Sequence, residues 1–72
     1  MKPDLEDYLW NNISMAGQGG RSPRDVIHEM VEKRMIQSPK QAWATLLKWS
    51  RKGLYTWGVS LDLGWKEKEA RG

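Results

Sequence analysis

The residues of this chain best suited to chemistry are four cations in the segment 38–53, SPKQAWATLLKWSRKG. They are Lys40, Lys48, Arg51 and Lys52. The segment contains no Asp or Glu, whereas residues 1–20 carry one cation and three acids. Because local potential governs the approach of a polyanion more than total charge does, this pattern is typical of a polyanion-binding surface. The alternative interpretation is a solvated basic face, which is common on any helix.

Groups for enzymatic or metal chemistry are sparse in the 72 residues. The chain has no cysteine and one histidine, which excludes disulfides and cysteine-based zinc sites and argues against other transition-metal sites. His28 has no neighbouring Ser, Cys or second His with which to form a catalytic set, so we interpret it as a surface residue. We expect no catalytic residues, no metal and no cofactor, and an enzyme is the least favoured class of protein.

A second place for anion chemistry is the connector Gly17-Gln18-Gly19-Gly20-Arg21. Its three glycines are able to present backbone N–H groups to a phosphate. No Lys-Ser or Lys-Thr follows and no strand precedes the connector, so a plain loop is the favoured interpretation. Arg21 and Arg24 remain able to contact a nucleic-acid backbone from this position.

Three segments have the pattern of helices and would position these residues. They are residues 4–15, 22–36 and 38–53. The Ser22-Pro23 and Ser38-Pro39 pairs mark the starts of the second and third helices, because Ser caps and Pro suits the first turn. Gly53 provides a left-handed stop for the third helix.

A helical wheel divides the third helix into two faces. The inner face is expected to hold Ala42, Trp43, Leu46, Leu47 and Ser50, with Trp49 at its edge. The outer face is expected to hold Lys40, Gln41, Ala44, Thr45, Lys48, Arg51 and Lys52. The basic surface would therefore lie opposite the core.

The first helix presents an inward stripe of Leu5, Tyr8, Leu9 and Asn12. Trp10 lies away from this stripe. It either covers the edge of the core or contacts another molecule.

Residues 54–66 change from a helical period to strict alternation, which is typical of strands. A single long strand would lack a partner, so we expect a hairpin with its turn near Val59 to Asp62. Its inward side would hold Tyr55, Trp57, Leu63 and Trp65. Residues 1–66 would then form one domain, followed by a charged, frayed tail at 67–72.

The order of elements, together with the segment IQSPKQAWATLLKWSRKGLY, resembles the winged helix-turn-helix superfamily over residues 4–66. The resemblance implies an α+β, mostly helical fold of three helices with a C-terminal β-hairpin wing. It also implies double-stranded DNA as the partner, with the third helix as the recognition helix.

The resemblance further implies roles for individual residues. Those that would face the major groove are Lys40, Gln41, Ala44, Thr45 and Lys48. Gln41 would pair with adenine and Lys40 with guanine. The phosphates would be held by Lys48, Arg51 and Lys52, with Arg21 and Arg24 as additional backbone contacts.

Two features depart from the superfamily pattern. Arg34 and Met35 stand near the bend where a glycine is often found. The expected wing tip, residues 58–62, holds no cation and offers Val59 and Leu61 beside an acid. A wing that grips DNA usually supplies Lys or Arg, so this tip favours contact with protein.

We therefore expect a small DNA-binding protein, either a transcriptional regulator or a phage or prokaryotic accessory factor. It would act as a homodimer or within a larger assembly, with Trp10, Val59 and Leu61 as candidate protein contacts. No apolar run approaches the roughly 20 residues of a membrane span, so we expect a cytoplasmic protein without a membrane partner. The alternative is a winged-helix protein-interaction module that binds no DNA. An RNA-binding variant, in which exposed aromatic rings stack on bases, ranks third.

Overall fold

Residues 4–15 and 21–69, which the computed structural model describes, form three α-helices followed by an antiparallel β-hairpin. The elements are α1 (Leu5–Asn12), α2 (Pro23–Glu32), α3 (Pro39–Arg51), β1 (Tyr55–Trp57) and β2 (Gly64–Lys66). The predicted α+β class of three helices with a C-terminal hairpin is confirmed. This element order is compatible with a winged-helix layout.

The two Ser-Pro pairs do mark the starts of α2 and α3. Ser22 is the N-cap of α2, and its hydroxyl accepts a hydrogen bond from the backbone N–H of Asp25 at 3.3 Å. Ser38 occupies the same position before α3, but its side chain makes no capping hydrogen bond. The start of α3 therefore relies on Pro39, whose fixed φ suits the first helical position.

Helices α2 and α3 end in the same backbone arrangement, the Schellman motif. At the end of α3, Gly53 has φ 76° and the Leu54 N–H donates to Trp49 O at 2.9 Å. At the end of α2, Arg34 has φ 61° and the Met35 N–H donates to Met30 O at 2.9 Å. Arg34 thus adopts the left-handed conformation at the bend where the superfamily pattern favours glycine.

The core lies where the three helices meet the hairpin. Its largest fully buried side chains include Leu9, Met30, Leu46, Trp49 and Tyr55. The rings of Trp10 and Trp49 pack edge to face, with their centroids 5.0 Å apart. Trp10 is thus a buried core residue and not a protein contact, because its ring fills the space between α1 and α3.

The hairpin places different residues inward from those expected. Tyr55 pairs with Lys66 and Thr56 with Trp65, so Tyr55 and Trp65 lie on opposite faces of the sheet. Tyr55 is buried, whereas Trp57 is exposed. The predicted inward set of Tyr55, Trp57, Leu63 and Trp65 is therefore wrong in part. The register pairs odd-numbered residues of β1 with even-numbered residues of β2, which reverses the face expected for β2.

Gly64 is required by the close approach of the two strands. A Cβ atom at this position would collide with the Thr56 carbonyl oxygen and would lie 2.6 Å from the Tyr55 hydroxyl. Any side chain at this position would therefore push the two strands apart.

Residues 66–69 are attached to the helices and to the hairpin. The Glu67 N–H donates to Leu54 O at 2.9 Å, and the Trp10 indole N–H donates to Glu69 O at 2.9 Å. The buried Lys66 ammonium donates to Trp10 O at 3.0 Å. The domain therefore extends to at least Glu69 and does not end at residue 66. The remainder of the expected tail, residues 70–72, lies outside the described residues.

Within the described ranges, none of the helices has the length and apolar character needed to cross a bilayer.

Candidate nucleic-acid interface

The burial of α3 defines which of its faces is available to a partner. Ala42, Leu46 and Trp49 are buried, whereas Trp43 is 39% exposed and Leu47 is 38% exposed. The predicted inner face is therefore rotated, because Trp49 and not Trp43 packs into the core against Trp10. Trp43 and Leu47 join the solvent side of the helix, a placement that the helical wheel missed.

Thr45 belongs to the inner side of α3, contrary to expectation. Its side chain is buried, and its hydroxyl donates to Gln41 O at 3.1 Å, one turn earlier in the helix. A hydroxyl that is buried and bonded to its own helix is not available to a DNA base. Thr45 is thus removed from the set of base-reading candidates.

The outermost line of α3 runs through Lys40, Ala44 and Arg51, all of which are exposed. Their spacing of four and seven residues places them on one side of a helix. Lys40 and Arg51 stand about 16 Å apart along the helix axis, which is somewhat more than the roughly 12 Å width of the DNA major groove. Gln41 and Lys52 are exposed beside this line.

The charge of this outer face is uncompensated over most of its length. Within residues 4–15 and 21–69, Lys40, Arg51 and Lys52 form no ion pair. Lys48 differs, because its ammonium lies 2.7 Å from a carboxylate oxygen of Glu6 in α1. Both side chains of that pair are partly exposed, and such surface pairs contribute little to stability.

Arg21 and Arg24, which were expected to contact a nucleic-acid backbone, instead hold acids of this chain. The Arg21 guanidinium lies 2.9 Å from Glu29. Arg24 donates two hydrogen bonds to Asp62, at 2.8 and 3.2 Å. These contacts give both arginines a structural role in the free protein.

The Glu29 carboxylate is the centre of a polar cluster between α1 and α2. It accepts a hydrogen bond from the Tyr8 hydroxyl and others from Arg21, and Lys33 lies 3.5 Å away. The Tyr8 hydrogen bond, followed by that of Arg21, lowers the pKa of Glu29 from 4.5 to about 2. The cluster therefore keeps the Glu29 carboxylate charged and holds it between α1 and α2.

The loop of the hairpin is apolar at its tip and anchored at its base. Val59 is 94% exposed, whereas Leu61 packs against the core and Asp62 is only 6% exposed. The hydrogen bonds from Arg24, followed by the opposing effect of burial, leave the pKa of Asp62 lowered. Val59 is thus available to a partner, while Leu61 is partly withdrawn from solvent.

The exposed large apolar side chains of the hairpin are Trp57, Val59 and Leu63, which we call the wing surface. No Lys or Arg occurs between residues 54 and 65. The wing surface therefore offers no charge with which to hold a phosphate.

An open groove of about 430 Å³ lies between α2 and the start of α3. Ile27, Val31, Pro39 and Trp43 contribute its apolar walls, and the paired Arg24 and Asp62 close one end. His28 also lines the groove. It is exposed and its Nε2 lies 2.9 Å from Glu32, which agrees with its interpretation as a surface residue.

Across residues 4–15 and 21–69, no three His, Asp or Glu side chains gather in a way that would ligate a metal ion. Residues 17–20 of the glycine-rich connector lie outside the described residues.

Comparisons with protein-family models, curated proteins and solved structures find no match to this chain.

Proposed function

We propose that this chain is a DNA-binding protein of the winged helix-turn-helix type that places α3 in the major groove of double-stranded DNA. It would act as a transcriptional regulator or as an accessory DNA-binding factor. The observation that carries the proposal is the outer face of α3. That face is exposed, contains no acid, and has cations at both ends with no partner among the described residues.

The small side chain of Ala44 supports the proposal. It lies on the exposed line between Lys40 and Arg51, so the backbone of α3 is able to approach the base edges closely. Arg51 and Lys52, at the end of the helix, would bind phosphates, which position the protein without reading sequence. Gln41, in the first turn, would pair with adenine.

Lys48 would join these contacts by exchanging Glu6 for a phosphate. The exchange costs little free energy because the Lys48–Glu6 pair is exposed. A charge-assisted hydrogen bond to phosphate would replace the one to Glu6 that is lost. Arg21 and Arg24 have no such role in this proposal, since each is already engaged with an acid.

Binding of labelled duplex DNA at several salt concentrations tests the proposal. Three to four phosphates neutralised by α3 correspond to a slope of about −2.7 to −3.6 in log K against log salt for one protomer. If a second copy bound to an adjacent half-site, the slope would be twice as large. The slope therefore also indicates how many copies of the chain bind to one duplex. Affinity that does not depend on salt contradicts the proposal.

A second candidate function is a winged-helix protein-interaction module. The wing surface favours it, because Val59 stands almost fully exposed and the loop carries no cation. Apolar contacts are insensitive to salt compared with phosphate contacts, so the same titration separates the two functions.

A further inference from the structure

We infer that α3 recognises A·T base pairs through the methyl groups of thymine, an inference that rests on the proposed insertion of α3 into the major groove. The contacts would come from Ala44, Leu47 and Trp43. In the major groove, the C5 methyl of thymine is the apolar group by which this base is distinguished.

The middle of the outer face of α3 is apolar except for Lys48, and the other cations of this face lie at its ends. Ala44 is exposed on the outermost line, with Leu47 and Trp43 beside it and more than a third exposed. The nearest cation, Lys48, is directed to Glu6 in the free protein. The positions that would lie deepest in the groove therefore present carbon atoms to the bases.

The hydrogen-bonding groups of α3 agree with this preference. Reading guanine commonly uses a bidentate Arg or Lys, and the cation near the middle of this face, Lys48, is paired with Glu6 in the free protein. Gln41 is the exposed amide of this face, and a glutamine pairs with the N6 and N7 groups of adenine. Gln41 neighbours Ala44, three residues further along the helix, so an amide for adenine lies beside an apolar group for thymine. Lys40, in the first turn, leaves a place for one guanine at the edge of the site.

The spacing of the two large apolar side chains fits two thymines that are separated by one base pair. Trp43 and Leu47 are four residues apart, which corresponds to a rise of about 6 Å along the helix. Successive base pairs are separated by about 3.4 Å, so the two side chains would span two consecutive steps. Each would then be able to cover one methyl group.

The test removes the methyl groups and changes nothing else in the base pairing. Two duplexes are compared, both with a central run of A·T pairs closed by G·C ends, one containing thymine and the other deoxyuridine. The buried apolar area of one methyl group corresponds to about a fourfold change in affinity, so the deoxyuridine duplex should bind about fourfold more weakly for each methyl contacted. Salt-dependent binding with equal affinity for both duplexes overturns the inference and leaves the proposed function intact. Absence of salt-dependent binding to either duplex overturns the proposed function itself.

Two variants test whether the preference for thymine over deoxyuridine comes from α3. Leu47→Ala should lower the ratio of thymine to deoxyuridine affinity by about fourfold, because one of the contacted methyl groups loses its partner. Val59→Ala, which also shortens an exposed apolar side chain but lies on the wing surface, should leave the ratio unchanged. A ratio that is unchanged in Leu47→Ala, or lowered in Val59→Ala, contradicts the assignment.

Discussion

Arg24 and Asp62 join the loop of the hairpin to the first turn of α2. The Arg24 side chain donates two hydrogen bonds to the Asp62 carboxylate, and the Arg24 backbone N–H donates to the Asp62 carbonyl oxygen at 2.9 Å. Asp62 is almost fully buried, whereas the Arg24 side chain is largely exposed. The carboxylate thus fixes the base of the loop and leaves Val59 as its exposed tip.

Asp62→Asn should destabilise the fold by about 1–2 kcal/mol, because a charged acceptor of several hydrogen bonds is replaced by a neutral one. The exposure of Arg24 keeps the loss below that of a fully buried ion pair. Urea unfolding measures the difference. Glu32→Gln, at an exposed acid paired with His28, is the control and should change the free energy of unfolding by less than about 0.5 kcal/mol. Equal effects of the two variants would show that the loop is not anchored through Asp62.

The lowered pKa of Glu29 predicts how the stability of the fold depends on pH in acid. Its pKa is lowered in the folded protein to about 2 by the Tyr8 hydroxyl and by Arg21, from an ordinary value of 4.5. The charged carboxylate therefore contributes its full stability above pH 4.5, and this contribution is lost as the pH falls from 4.5 towards 2. Asp62, whose pKa is also lowered, acts in the same direction.

Melting temperatures measured between neutral pH and pH 2 test this dependence. Glu29→Gln cannot lose a charge, so its melting temperature should fall less steeply below pH 4.5 than that of the unmodified protein. Tyr8→Phe removes the largest cause of the lowered pKa, so its melting temperature should also fall less steeply below pH 4.5. Parallel curves for all three proteins would show that the cluster does not stabilise the fold.

The left-handed conformation of Arg34 predicts a stabilising substitution. A side chain in this region of φ costs about 1–2 kcal/mol relative to the ordinary helical region, and glycine avoids most of that cost. Part of the gain is offset by the flexibility of glycine in the unfolded chain, so Arg34→Gly should stabilise by about 0.5–1 kcal/mol. Thermal or urea unfolding measures the change.

Two controls accompany Arg34→Gly. Arg34→Ala keeps the Cβ atom and should bring no gain, which separates the backbone effect from the loss of charge. Gly53→Ala places a Cβ at the equivalent position of α3, where φ is also positive, and should destabilise by about 1 kcal/mol. A gain in Arg34→Ala equal to that in Arg34→Gly would contradict the backbone explanation.

The orientation of α3 predicts a contrast between two adjacent leucines. Leu46 is fully buried, so Leu46→Ala should cost about 2–5 kcal/mol through lost contacts and the cavity left behind. Leu47 is partly exposed, so Leu47→Ala should cost about 1 kcal/mol or less. Urea unfolding of the pair compares the same chemical change at a buried and at a partly exposed position of one helix. The reverse order of the two costs would mean that α3 presents its other face to the core.

The sequence identified the elements of the fold well because their signals are local. Ser22 and Pro23 at the start of α2, Pro39 at the start of α3 and Gly53 at the end of α3 act through neighbouring backbone groups. The hairpin and its turn near Val59 to Asp62 followed from the alternation of residue types. These features need no knowledge of distant partners.

The side chains that face inward were harder to predict because they depend on tertiary partners. The apolar residues of α3 cover more than half of its circumference, and the packing of Trp49 on Trp10 selects which of them is buried. The face of β2 depends on the number of residues in the connecting loop, which alternation alone does not fix. To predict that Trp43 and Leu47 lie on the outer face, one would have to know how α1 packs against α3.

Local sequence patterns also do not reveal which of the basic residues form ion pairs. Lys48 meets Glu6, 42 residues away, and Arg24 meets Asp62, 38 residues away. Only the folded arrangement shows that these cations are partnered, while Lys40, Arg51 and Lys52 have no ion-pair partner among residues 4–15 and 21–69. The candidate interface is therefore narrower than the set of basic residues suggested by charge alone.

The most direct test of the proposed interface compares Arg51→Gln with Lys68→Gln in the binding of duplex DNA at several salt concentrations. Both residues are exposed cations, but Arg51 lies on the outer face of α3 and Lys68 follows the hairpin. Arg51→Gln should weaken binding to every duplex and reduce the magnitude of the salt slope by about 1, because one phosphate contact is lost. Lys68→Gln should leave both the affinity and the slope unchanged. Equal slopes for Arg51→Gln and the unmodified protein would contradict the account, because the outer face of α3 would then not be the surface that meets DNA.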